Sequence, residues 1–417
     1  MTDFHDALES RDPDVREKEL LAALPALIQR AQQTAGWSSI LSGVNASDIR
    51  SRETLAQLPV TRKSELKTLQ GMSLPFGGLV NTSTRDLSRI FMSPGPIFDP
   101  EGRGVDWWRF ARPLHALGVR RGDLIQNCFA YHFTPAGLMV EGGAIKLGCP
   151  VIPAGTGQTE MQVQAMNLLR PRVYTGTPSF LKIIIEKAQE MGEDISSVEC
   201  ALVSAEALPP SLRQWLNAHG VPNVLQTYGS ADIGNIAYET MTDGQVNPGM
   251  VLDEALLLEI VRPGTGDPVP EGEVGEIVIT SFNPDYPLIR FATGDLSAVL
   301  PETSPCGRTN TRIKGWMGRA DQTTKVRAMF VHPSQVAEIA RRHTAIIKAR
   351  LVITGEMAND QMTLQCEVAD PAALSGETEA IAATIREVTK LRGDVRLVVA
   401  GTLPNDGKVI EDARSYQ

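Results

Sequence analysis

The sequence is poor in the features that would mark several large classes of protein. Its five cysteines, at 128, 149, 200, 306 and 366, lie far apart and never form a CxxC pair. That excludes a disulfide framework and the usual thiolate zinc site, and leaves free buried thiols as the expectation. No stretch of about 18 apolar residues occurs, so no membrane-spanning helix is expected. The N-terminus, MTDFHDALESRDPDVREKEL, is polar and acidic and lacks the apolar core of a signal peptide, so the expected address is the cytoplasm. Basic residues are not in excess: 40 Lys and Arg face 49 Asp and Glu, a net charge of -9. Neither a general nucleic-acid partner nor a membrane surface is expected from that balance, although a local basic pocket for phosphates is compatible with it. Internal repeats and low-complexity tracts are also lacking. Aromatic residues make up only 5%, which gives weight to any local group of them.

What is present is an ordinary globular composition, 42% hydrophobic and 21% charged over 417 residues. That length suits two or three domains and a core that needs no staples. Residues 14–36 carry Leu20, Leu21, Leu24, Leu27 and Ile28 at helical spacing. In LPVTRKSEL, at 58–66, Thr61 is placed to cap a short helix. From 123 to 229 apolar runs alternate with amphipathic segments. Strands are expected at 123–131, 149–154, 171–177, 199–205 and 223–229, and helices at 135–147, 161–170, 178–191 and 210–219. Such strand–helix units build a largely parallel sheet with helices on its faces. After 245 the runs ALLLEIV, GEVGEIVITSF and RFATGDLSAVL are split by Gly and Pro turns and predict a smaller antiparallel sheet or barrel. The last ~100 residues read as a separate α/β unit of common domain size, with helices at 333–342 and 376–391 and strands at 349–356, 361–368 and 395–401.

Several segments carry residues suited to chemistry. In PLIRFATGDL, Asp295 follows a Thr-Gly turn, where a carboxylate accepts either the hydroxyls of a ribose or its own backbone N–H as an Asx turn. In TYGSADIGNIAYE, Tyr228 closes a strand. It is either a stacking surface for a base or a core aromatic, and Gly229 permits close backbone approach. Ser230 offers a hydroxyl to a phosphate, and Asp232 is a Mg2+ ligand or a helix cap. GWMGRADQ and LPNDGK place Arg319, Asp321 and Lys408 near Gly turns.

In order and spacing these segments resemble the phenylacetate–CoA ligase family of adenylate-forming enzymes. LPVTRKSEL resembles that family's N-terminal signature. IPAGTGQTEMQVQ, TGTPSFL, SAEALPPSLRQWL and EGEVGEIVIT resemble its later segments, so that the likeness runs from about 15 to 410. The resemblance implies an α/β fold: a large N-terminal domain, 1–318, of mainly parallel sheets plus a small β region, followed by a small mobile α+β lid, 319–417. It implies ATP-dependent activation of a carboxylic acid, aryl or arylacetic, through an acyl-adenylate and transfer to coenzyme A, with Mg2+ accompanying ATP. A non-CoA acceptor (an amine, a carrier protein or a biosynthetic intermediate) is the alternative, as is a protein that holds adenylate without making it. Monomer and homodimer are both compatible with the sequence.

By position, the resemblance assigns the ribose to Asp295, adenine to Tyr228 with Ala205 and Glu206, and close nucleotide approach to Gly229. It gives the α-phosphate to Ser230, metal to Asp232, and ribose or phosphate contact to Arg319. Asp321 becomes the hinge, followed by Gln322 where a second acid is usual. Lys408 becomes the cation that stabilises charge as the carboxylate attacks the α-phosphorus. Ala130, Tyr131, His132, Phe133, Ile233, Gly234 and Asn235 become candidates for the acyl pocket, where Tyr131 and Phe133 suit an aryl group and His132 guides a substituent or is structural.

One segment departs from the family. Its phosphate loop is rich in Ser, Thr and Gly and contains a Lys. Here the corresponding stretch is IFMSPGPIFDPEGRG, at 90–104. Ser93 and Gly95 survive, Pro94 and Pro96 lack an N–H donor, and Ile97, Phe98 and Asp99 replace the rest. Asp99 is expected to repel triphosphate, and Arg103 is a candidate for the missing cation. Each lost charged hydrogen bond costs roughly 1.5–3 kcal/mol, so two predict on the order of 100-fold weaker ATP handling.

Overall fold

The computed structural model describes residues 4–414 except 94, 263, 318, 321, 323, 328, 332, 356–359 and 404–408. The chain divides into two compact units, Met1–Met317 and Gly318–Gln417.

The first unit is built on a nine-stranded sheet. From one edge its strands run Val299–Leu300, Arg312–Ile313, Met250–Leu252, Gly234–Tyr238, Asn223–Ser230, Cys200–Val203, Val173–Gly176, Ile125–Asn127 and Val151–Ile152. Everything from Asn223–Ser230 to Val151–Ile152 is parallel. Across the other edge of Asn223–Ser230 the pairing turns antiparallel. The expected parallel region is therefore present, with four of its five strands shorter than the apolar runs predict and the fifth, Asn223–Ser230, one residue longer.

The helices of this region have legible ends. Pro178–Met191 opens with the Thr177 side chain accepting from the Phe180 N–H and with Pro178 in its first turn, and it ends at left-handed Gly192. Leu181, Ile184, Ile185 and Ala188 recur on one face and are buried, each large side chain contributing about 1.5–3 kcal/mol of transfer free energy. Ala136–Leu147 likewise ends at left-handed Gly148.

The second sheet of this unit has the order Thr61–Arg62, Leu288–Ser297, Gly275–Ser281 and Leu256–Val261. Its last three strands are the antiparallel set expected after 245. The first corrects an expectation. Thr61 does not cap a helix but is a buried strand residue, and Thr61–Arg62 run parallel to Leu288–Ser297, with Arg62 opposite Ala292. The short helical turns follow at Lys63–Glu65 and Leu66–Met72. The main core cluster joins this sheet to the first long helix, Pro13–Ala31, through Leu24, Leu27, Ile28, Leu257, Ile279 and Phe291.

The second unit has a four-stranded sheet in the order Asp394–Val399, Gln361–Val368, Lys348–Thr354 and Ile410–Asp412. Val336 and Ile339 of one helix, Pro333–Arg342, and Ile381 and Ile385 of another, Thr378–Thr389, share its core. All five cysteines are buried and free. No helix among the described residues is long and apolar enough to cross a membrane.

Candidate active site

Parallel sheets bind ligands beyond the carboxyl ends of their strands, at the point where strand order or direction changes. In the first unit that point is the end of Asn223–Ser230, whose neighbours are parallel on one side and antiparallel on the other. Tyr228 lies there, half-buried. Its Oη donates to Asp295 Oδ2 at 2.8 Å and to Thr293 Oγ1 at 3.3 Å. Asp295 belongs to Leu288–Ser297 of the other sheet, so this bond ties the two sheets together. Trp316 Nε1 donates to the remaining oxygen, Oδ1, at 3.0 Å. These two donors, one on each oxygen, orient the Asp295 carboxylate.

Gly229 and Gly234 shape the turn that follows. A Cβ on Gly229 would lie 2.5 Å from the Gly234 carbonyl oxygen. One on Gly234, at φ +88°, would lie 2.7 Å from the Trp108 carbonyl oxygen. The glycine at 229 is thus required by backbone packing within the hairpin, a reason the sequence did not disclose. Ser230 Oγ accepts from the Ile233 N–H at 3.3 Å. At the end of the neighbouring strand, Ala205 holds a left-handed φ of +68°. Glu206 accepts from Ser179 Oγ at 2.5 Å, and its carbonyl takes Gln226 Nε2 at 2.9 Å.

Asp232 is buried, and one of its oxygens is ion-paired with Lys63 Nζ. Its other oxygen, Oδ1, is buried without a partner. Lys63 carries no signal of a role in its local sequence. Strand pairing explains its position: with Arg62 opposite Ala292, the next residue emerges beside Thr293–Asp295, where the pairing of Leu288–Ser297 with Gly275–Ser281 shifts register. Burial lowers the pKa of Lys63, but the pull of Asp232, Asp99 and Asp295 outweighs it and the net shift is upward.

The altered phosphate-loop stretch forms a hairpin, Arg89–Ser93 paired with Ile97–Glu101. Alternation turns Ile90 and Met92 outward, 44% and 37% exposed, while Phe91 and the opposite Asp99 are buried. Asp99 therefore does not project from a loop tip. Ser93 Oγ donates to one of its oxygens, and the other is buried without a partner. Burial, then the Asp232 charge, push its pKa up to about 7 against the Ser93 bond and Lys63. Arg103, the candidate cation, donates instead to the carbonyls of Asp86 and Arg85 at 2.9 and 3.4 Å.

The acyl-pocket candidates separate into two groups. His132 and Phe133 are exposed, their rings edge-to-face with centroids 4.6 Å apart. The Phe133 carbonyl accepts from the Met92 N–H at 2.9 Å, which sets this loop beside the Ser93 hairpin. Tyr131 has its hydroxyl between Glu141 Oε2 and Asn127 Nδ2, both at 2.8 Å, and burial with Glu141 raises its pKa. Ile233 packs in the main core. Asn235 is fully buried, accepting from Thr227 Oγ1 at 2.8 Å and donating to Asp253. The side chains of Ile233 and Asn235 are thus engaged in the interior.

Asp321, Lys408 and Pro94 lie outside the described residues. Arg319 is half-buried in the second unit. There Gln322 Oε1 accepts from the Val409 and Ile410 N–H groups at 2.7 and 3.4 Å. Among the described residues no group of three or more His, Cys, Asp or Glu side chains is placed to hold a metal ion. Mg2+ commonly takes one or two carboxylates and completes its shell with water and phosphate. Asp232 Oδ1, buried and without a partner, is a donor of that kind.

Comparison with known proteins identifies this fold. A family model described as AMP-binding enzyme matches residues 115–283. The phenylacetate–coenzyme A ligase of Thermus thermophilus is 30% identical over 344 residues, 79% of this chain and 76% of that one. The phenylacetate–coenzyme A ligase of Escherichia coli K12 is 31% identical, covering 71% and 69%. Among solved structures, a 2-hydroxyisobutyryl-CoA ligase in complex with its acyl-AMP and CoA superposes with a TM-score of 0.76 at 25% identity, covering 98% of this chain and 92% of that one. The chain belongs to the phenylacetate–CoA ligase family of adenylate-forming enzymes.

Proposed function

We propose that the protein activates a small carboxylic acid with ATP, forming an acyl-adenylate and pyrophosphate, and passes the acyl group to coenzyme A. The observation that carries this reading is the oriented pair of Tyr228 and Asp295 at the end of the nine-stranded sheet. A carboxylate held in this orientation suits the two hydroxyls of a ribose, and the Tyr228 ring offers a face to adenine. Mg2+ would be held by Asp232 and, when bound, would neutralise phosphate charge. Ser230 reaches the α-phosphate from the neighbouring turn. His132 and Phe133, exposed beside the Ser93 hairpin, form the side on which the acid enters, and an aryl or arylacetic acid suits that pair. The roles of Ala205, Glu206 and Arg319 toward the nucleotide, of Asp321 as hinge and of Lys408 as the adenylation cation rest on the resemblance.

The test is a panel of acids including phenylacetate, benzoates and short 2-hydroxy acids, assayed with Mg2+, ATP and coenzyme A. The proposal expects AMP formation matched by loss of free thiol with at least one aryl acid. AMP formation without thiol loss would assign a different acceptor. Neither product with any acid would overturn the reading.

A further inference from the structure

The phosphate-loop stretch has no lysine, yet the described part of the site holds a cation. Lys63 follows the two-residue strand that pairs with Leu288–Ser297. Its ammonium is bonded to Asp232 and lies within the field of Asp99 and Asp295. Lys63 therefore stands among the residue proposed for metal, the hairpin that replaces the phosphate loop and the carboxylate proposed for ribose. Its side chain is 31% exposed, whereas that of Asp232 is fully buried. The lysine can thus meet a ligand that the aspartate beneath it cannot reach with its paired oxygen.

The surrounding charge supports a mobile rather than a purely structural cation. Lys63 is ion-paired with Asp232 alone and feels the charge of Asp99 and Asp295, and both Asp99 and Asp232 retain a buried oxygen without a partner. Buried unpaired acceptors are costly, and a purely structural pair would be expected to satisfy them. An arriving triphosphate with its Mg2+ offers the complementary set, a metal for the unpartnered carboxylate oxygen and anionic oxygens for the ammonium.

We propose that Lys63 is a catalytic residue that contacts the β- and γ-phosphates of ATP, in place of the missing loop lysine. During adenylation an oxygen of the acid forms a bond to the α-phosphorus. The bond from that phosphorus to the bridging oxygen breaks, and its electron pair leaves with pyrophosphate. Lys63 gives up no proton in this step. It neutralises the charge that accumulates on the leaving group. This inference rests on the reading of the site as an ATP-dependent adenylating centre.

Calorimetric titration separates the two. AMP and Mg-ATP are titrated into the wild type, Lys63→Met and Lys63→Arg, with no acid present. The inference expects the Lys63→Met Kd for Mg-ATP to rise at least tenfold while its Kd for AMP stays within threefold, and Lys63→Arg to recover part of the ATP affinity. If Lys63→Met binds ATP and AMP as the wild type does, the inference is overturned and the adenylating reading stands. If the wild type binds neither nucleotide, both fall.

Since Lys63→Met leaves Asp232 buried without its partner, a second measurement uses the wild type alone. Acetylation of Lys63 by acetic anhydride, read by mass spectrometry, is expected to be slowed by Mg-ATP and not by AMP. Equal protection by AMP and ATP, or by neither, would contradict direct contact with the outer phosphates.

Discussion

The Tyr228 hydroxyl donates to Asp295 across 2.8 Å, and that one bond joins strands of two different sheets, Asn223–Ser230 and Leu288–Ser297. Its removal separates two roles of the tyrosine. Tyr228→Phe keeps the ring and loses the bond, worth roughly 1.5–3 kcal/mol at a charged acceptor. Urea unfolding should show a destabilisation of that size, with AMP affinity reduced less than tenfold. A loss of AMP binding as large as that of Asp295→Ala would mean that the hydroxyl, rather than the ring, holds the nucleotide.

The turn after Tyr228 has no room for a methyl group. Gly229→Ala would bring a Cβ to 2.5 Å from the Gly234 carbonyl oxygen, and backbone must move to admit it. The expected cost is roughly 1–3 kcal/mol, measured as a lowered urea midpoint, with nucleotide affinity falling because Ser230 moves with the strand. An unchanged midpoint would show that the hairpin has slack.

Tyr131 is a test of the acid pocket. Its hydroxyl bridges Glu141 and Asn127, so Tyr131→Phe should cost about 1–2 kcal/mol of stability and leave the KM for the acid within about threefold. A KM rise of tenfold or more with stability unchanged would place the phenol in contact with substrate.

Asp106 predicts a pH dependence. Burial pushes its pKa up to about 6, against the Ala111 and Phe110 N–H groups that it accepts and the nearby Arg109, with Asp253 adding to the rise. The folded state therefore holds this proton longer than the unfolded chain, whose aspartates titrate near ~3.9. Below about pH 4 the group is protonated in both states and contributes nothing. From about pH 4 to 6 the unfolded chain ionises first, and stability falls by roughly 2–3 kcal/mol, then levels off. The stability difference between wild type and Asp106→Asn should decline over that window and be flat above it. A difference that grows with pH would reverse the sign.

Much of this architecture was legible because its signals are local. Thr177, Pro178 and Gly192 bracket a helix by chemistry that acts within one turn. Tyr228 and Asp295 could be picked out because each sits in a recognisable segment. What was missed depends on long-range register. Lys63 acquires its surroundings from pairing between Arg62 and Ala292, and Thr61 is a strand residue for the same reason, whereas its neighbours alone suggested a helix cap. Asp99, in the stretch that corresponds to the phosphate loop, was expected to repel triphosphate. The hairpin places it opposite Phe91 on the buried face, a consequence of pairing that local composition does not express. The antiparallel strands Gly234–Tyr238, Met250–Leu252 and Arg312–Ile313 are short and made regular only by their neighbours in the sheet.

The central claim is that Asp295, oriented by Tyr228 and Trp316, is the anchor of a nucleoside monophosphate. Calorimetric titration of AMP into wild type and Asp295→Ala tests it most directly. Loss of two hydrogen bonds to a charged acceptor, roughly 1.5–3 kcal/mol each, predicts an increase in Kd of at least ~100-fold in a variant that still unfolds cooperatively. Equal AMP affinity in the two proteins would contradict the account.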